Sequence, residues 1–156
     1  MTDEDFMREA IALSLQGVED DQGGPFGAVI VRQGKIIARG VNQVTSSCDP
    51  TAHAEMVAIR HAAAHLQQFD LSDCVLYTST EPCPMCLAAI YWARLKGVYY
   101  ANSREDAAEI GFDDALFYRE VCLENSQRSM PMVRILPKEA QTAYQAWQDK
   151  SDKVLY

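Results

Sequence analysis

Residues 74 to 101 limit this chain's architecture more than any other stretch. An apolar, β-branched and aromatic run (CVLYTST) is followed by a proline-led series of good helix formers (PMCLAAIYWARL) and a second strand-like run (GVYYA). Where a helix crosses over between two strands, those strands pair in parallel, and the sheet they form must be covered by helices.

The flanking segments extend the pattern. Residues 3 to 16 place Phe6, Met7, Ala10, Ile11 and Ser14 at helical spacing, with acids at the start where the helix dipole favours them. GGPFGAVIV and KIIARGVNQV read as two strands joined by a tight turn at Gln33 and Gly34. Asp49 suits an N-cap and Pro50 a first helical position, so TAHAEMVAIRHAAAHLQQ reads as a helix with His53 in its opening turns. Further on, FDDALFYREVC is expected to be helical and MVRIL to be a last strand. KEAQTAYQAWQDK reads as a closing helix with Ala140, Ala143, Tyr144 and Trp147 on one stripe. The expected order is α-β-β-α-β-α-β-α-β-α: an α/β chain of three α/β/α layers around a central mixed sheet of five strands. With 156 residues and 48% hydrophobic content it is expected to form one domain, residues 1–156.

A net charge of -8 disfavours a protein whose main task is gripping phosphate backbones, so nucleic acid is not an expected partner. The acidic opening MTDEDFMREAIALSLQ has no basic region ahead of an apolar one. No apolar run approaches the roughly 20 residues of a membrane span, and the chain is expected to be cytoplasmic. Five cysteines are an odd number, which argues for metal or catalytic use of some of them over a disulfide framework.

Cys83 and Cys86, in TSTEPCPMC, could be a redox pair, half of a structural zinc site or part of a catalytic one. A four-cysteine zinc ribbon needs a second such pair, which the chain lacks. His53 can complete the set instead: it opens one helix as Cys83 opens another, and a strand between them can bring both helix starts to one sheet edge. One histidine and two thiolates give zinc three protein ligands and leave the fourth tetrahedral position for water. Glu55, two residues after His53, points to a different side of its helix and is therefore no fourth ligand. It can instead exchange protons with a water whose pKa zinc lowers to about 7.

The pairing of HAE with PCPMC resembles the H-x-E and P-C-x-x-C signature of the zinc-dependent cytidine/deoxycytidylate deaminase superfamily. The likeness runs on through GGPFGAVIV, DPTAHAEM and LYTSTEPCPMCLAAIYWAR. GFDDALFYREV and the ending KVLY are most similar to the short bacterial guanine deaminases within it. The resemblance implies a cytidine deaminase-like fold and one Zn2+ per chain on His53, Cys83 and Cys86. It implies hydrolytic deamination of guanine to xanthine and ammonia, with zinc-bound hydroxide attacking and Glu55 shuttling protons. A small purine base would be held by Asn42 with help from Phe26 and Ala54, and Asp114 would join Glu55 as a catalytic residue, helping to place the guanine amino group. The tail, about residues 151–156, would close the pocket with Tyr156 near substrate, in a homodimer that exchanges elements between subunits.

Other readings stay open on the residues alone. The substrate could be a tRNA adenosine, guanosine or cytidine. A non-catalytic zinc protein would need Cys48 or Cys74 to block the fourth position. Trp92 reads as packing, His61 and His65 as surface or satisfied residues, Asp113 as a helix-starting acid, and Cys48, Cys74 and Cys122 as small buried hydrophobes. Glu81 has no physical argument for a catalytic role.

Overall fold

In the computed structural model, which describes residues 1–156, the chain opens on helix α1 (Asp3–Glu19). Thr2 starts it with a capping box: its hydroxyl accepts from the Asp5 N–H at 3.3 Å, and the Asp5 carboxylate accepts from the Thr2 N–H at 2.8 Å. The inward stripe is Phe6, Ala10 and Gly17. Strands β1 (Gly27–Arg32) and β2 (Lys35–Val41) follow as the expected hairpin. Its two turn residues, Gln33 and Gly34, have φ of +51° and +72°, the left-handed pair that a tight turn between twisted strands needs.

A short helix α2 (Val44–Ser47) leads to α3 (Ala54–Leu66), β3 (Cys74–Thr80), α4 (Pro84–Trp92), β4 (Gly97–Asn102) and α5 (Arg104–Glu109). The sheet order is β2-β1-β3-β4. β1 runs antiparallel to both β2 and β3, while β3 and β4 pair in parallel across the α4 crossover, as the strand-helix-strand run required. Helix α1 packs on β1 and β3, and α3 packs on β2 and β1 and touches α4. Between the sheet and α3 lies the main core, with Ala28, Ile30, Leu76, Ala54, Ala58, Ala62 and Ile90. Under α1 a smaller cluster joins Phe6, Val29, Val31 and Tyr77. Tyr77 also donates to Asp3 at 2.6 Å and stacks on Tyr99 with ring centroids 4.8 Å apart.

These elements belong to the first of two compact units, Met1–Asp114. The second, Ala115–Tyr156, holds α6 (Ala115–Val121), a 3-10 turn (Asn125–Gln127) and α7 (Pro137–Asp149). No residue of this second unit is buried, and Phe117, Val133, Ile135 and Tyr144 are all exposed.

Several expectations need correction. The sheet has four strands, not five, because residues 132–136 (MVRIL) take no strand pairing. Alternating apolar residues can propose a strand, but only a partner edge supplies its hydrogen bonds. Helix α3 begins at Ala54, not at Pro50. Asp49 instead closes a turn, its Oδ1 accepting from the Thr51 N–H and hydroxyl at 2.8 and 2.7 Å, and His53 becomes the N-cap. Cys48 and Cys122 are exposed, unlike Cys74, and Trp92 is 65% exposed and so is not a buried core residue.

Candidate active site

Two helix starts build the site. His53 and Cys83 are the N-caps of α3 and α4, both with extended backbone, and Pro84 takes the first position of α4 as its fixed φ favours. Cys86 then falls on the same turn as Cys83. His53 Nδ1 lies 3.5 Å from each sulfur, and the three donor atoms sit within 4.8 Å of one another. Tetrahedral zinc, with bonds near 2.3 Å to sulfur and 2.0–2.1 Å to nitrogen, would hold such N and S atoms about 3.6 Å apart. The spacing fits, and one nitrogen with two sulfurs is a donor set suited to zinc.

The electrostatics also favour metal. Hydrogen bonding from Cys86 and His53, against the opposing effect of burial, brings the Cys83 thiol down to about 4, so it ionises readily. The Cys83 contact, burial and the Glu55 carboxylate push Cys86 up, so of the two it is Cys83 that gives up its proton first. His53 is raised by its bond with Cys83.

Glu55 is 6% exposed, the one buried charged side chain in the chain. Its Oε1 accepts from the Thr78 hydroxyl at 3.2 Å and its Oε2 lies 3.5 Å from Cys86 Sγ, so it stands against the trio without joining it. Burial is the largest influence on it and raises its pKa, a setting in which a carboxylate is able to take and return a proton. No other cysteine joins this cluster. Cys74 sits at the start of β3 beside Asp73, and Cys48 is exposed at the end of α2, so neither occupies the fourth position that a non-catalytic zinc site would need filled.

Comparison with known proteins agrees with this geometry. Residues 1–102 match the cytidine and deoxycytidylate deaminase zinc-binding region. The chain belongs to that deaminase family. It is 51% identical to guanine deaminase of Bacillus subtilis over 156 residues, all of both chains. The X-ray structure of guanine deaminase from Bacillus subtilis superposes with a TM-score of 0.97, covering 100% of this chain and 99% of that one. A tRNA-specific adenosine deaminase of Agrobacterium fabrum is 43% identical over 117 residues, 75% of this chain and 76% of its own. The cofactor of this deaminase is accordingly zinc.

The remaining expected residues fall in different places. Asn42 follows β2, is 4% exposed, and is tied through the Gln43 N–H to the Ala52 carbonyl at 2.9 Å, one residue before His53. The Phe26 carbonyl accepts from the Asn42 N–H at 3.0 Å, and the Phe26 ring meets Phe112 edge to face at 4.9 Å. Ala54 is fully buried, its methyl in the core. Asp114 is half-buried, and its carboxyl is raised first by burial and next by the charge of Cys83. Tyr156 ends the second unit and is exposed. His61 is exposed, with Nδ1 3.0 Å from the Arg39 carbonyl, as its surface reading implied.

Sequence reasoning missed Thr78, Gly24 and Phe112. Thr78 carried a usable signal, since a hydroxyl inside a strand otherwise meant for burial needs a partner. Glu81 acquires a local role: its N–H donates to the Asn102 carbonyl at 2.8 Å and its carboxylate accepts from the Arg104 N–H at 3.2 Å, joining the cysteine loop to the start of α5.

Proposed function

We propose that this protein is a guanine deaminase, converting guanine and water to xanthine and ammonia with one zinc ion on His53, Cys83 and Cys86. The observation that carries the reading is the 51% identity to guanine deaminase of Bacillus subtilis, which extends over all 156 residues. Held by His53, Cys83 and Cys86, the zinc would supply Lewis acidity that activates a water for attack. Glu55 would do the proton work: held by Thr78, it would take a proton from the attacking water and place it on the ring nitrogen next to C2, then take the remaining proton of the hydroxyl added at C2 and deliver it to the departing amine. A C–O bond would form at C2 as the ring nitrogen is protonated, and the bond from C2 to the exocyclic amine would then break, releasing ammonia.

In this reading Asn42 holds the base, with Phe26 beside it as an aromatic wall. Ala54 contributes its N–H, which lies at the first position of α3 and so has no acceptor within the helix. Asp114 helps place the substrate amino group, and residues 151–156 close the pocket with Tyr156 at the base. The domain is residues 1–156, acting in the cytoplasm on a free purine. No helix is long and apolar enough to cross a membrane.

The same reading takes the active form to be a homodimer that exchanges its C-terminal elements. Two features support this: the second unit buries none of its own residues, and strand β4 ends the sheet with exposed Tyr99 and Tyr100 and no strand on its outer edge. A strand at residues 132–136 from a partner would satisfy that edge and complete a five-stranded sheet.

Incubation with guanine, guanosine, adenine, cytosine, cytidine and tRNA, scored by ammonia release, tests the substrate. Guanine alone should respond, and inosine formation in tRNA would replace this reading with the tRNA one. Deleting Val154 to Tyr156 should lower guanine turnover, and an unchanged rate would dismiss the tail as a lid.

A further inference from the structure

We propose that Gly23 and Gly24 are positioning residues that lock the Asn42 carboxamide with its oxygen inward, leaving this side chain able to meet the base only as an N–H donor. The inference rests on the reading above that Asn42 contacts substrate.

Two backbone donors converge on one atom of the Asn42 amide. Its Oδ1 accepts from the Gly24 N–H at 3.2 Å and from the Val44 N–H at 3.1 Å. An amide nitrogen accepts no hydrogen bond, so rotating the group by half a turn would set N–H against N–H twice in a site that is 4% exposed. The backbone of Asn42 is held as well, by the Phe26 carbonyl on one side and, through Gln43, by Ala52 on the other. Neither chain nor side chain is free to turn.

The glycines make this lock possible. Gly23 and Gly24 are absent from the residues with left-handed φ, so backbone freedom does not account for them. Space does. A Cβ on Gly23 would collide with Asn42 Oδ1 and come 2.7 Å from the Asn42 carbonyl oxygen. A Cβ on Gly24 would lie 2.9 Å from the Phe26 ring and 3.0 Å from that of Phe112. The dipeptide therefore sits between the amide and the aromatic pair and can be close to both only without side chains. Asn42 is left offering hydrogen to a ring nitrogen or keto oxygen and nothing to an exocyclic amine, which biases the site toward a base edge rich in acceptors.

The test is a double-mutant cycle on guanine turnover. Gly23→Ala should reduce kcat/KM by about 10- to 100-fold, chiefly through KM, as expected when a contact is displaced by about an ångström, while zinc content stays at one per chain. In an Asn42→Ala background, which removes the amide but keeps the residue-42 carbonyl, the same change should cost far less than in the parent protein, because Gly23 acts mainly through the Asn42 side chain. Additive losses would overturn the inference. Asn42→Asp supplies a second arm that does not depend on Gly23→Ala folding. Assayed above neutral pH, it keeps both accepted N–H bonds but turns an oxygen toward the base, and kcat/KM should fall by about 100-fold with an unchanged thermal midpoint. An active Asn42→Asp enzyme would also overturn the inference. Normal turnover by Asn42→Ala would instead remove Asn42 as a substrate contact, and absence of guanine turnover by the unaltered protein would remove the functional reading itself.

Discussion

Glu55 illustrates how one side chain's surroundings carry both a cost and a function. Its burial raises the proton affinity of a carboxylate that Thr78 holds beside the Cys86 sulfur. Glu55→Gln keeps the shape and hydrogen bonds but cannot carry a proton. It should bind one zinc per chain and lose about 10²- to 10⁴-fold in kcat, as steady-state rates and metal analysis would reveal. The folded metal-free protein binds the Glu55 proton more tightly than the unfolded chain does. Its stability therefore declines as pH rises from the ordinary carboxylate value through the raised one. Glu55→Gln should abolish that decline, which urea titrations of metal-free protein across pH would detect. His53, Glu55, Cys83 and Cys86 were legible in the sequence because each belongs to a short motif. Thr78 and the Gly23–Gly24 pair were not, because their partners are 23 and 18 residues away and meet them only once the sheet is formed.

At the scale of elements, local signals were reliable where the chain alone satisfies its backbone. The Gln33–Gly34 turn, the α4 start at Pro84 and the parallel β3–β4 pair all appear as expected. The start of α3 was misplaced because Asp49 can cap a helix or close an Asx turn with the same oxygen, and the turn prevailed. MVRIL failed as a strand for another reason: strand propensity is half an interaction, and no edge in this chain takes it. The turn allows a controlled comparison. Gly34, at φ +72°, and Gly97, without positive φ, both have open space where a Cβ would sit. Gly34→Ala should destabilise by about 1–2 kcal/mol, whereas Gly97→Ala should be neutral or slightly stabilising. Chemical denaturation of the two variants would measure the difference.

For the whole molecule, the uneven distribution of burial matters most. One unit holds the entire buried core, while the other holds none and exposes large apolar side chains. Large apolar surfaces of this kind are rarely left bare in water. Analytical ultracentrifugation should therefore give twice the mass of one chain across dilution, and a single-chain mass with full activity would refute the exchanged homodimer. The metal trio has a consequence of its own at this scale. His53 and Cys86 stand 33 positions apart, so an ion bound between them closes a long loop of chain. A covalent link over that span would deprive the unfolded chain of conformational freedom worth about 4 kcal/mol. Zinc thus acts as a removable cross-link, and chelation should lower the melting temperature until zinc is restored. Catalytic competence and resistance to unfolding would then rise and fall together with the supply of a single ion.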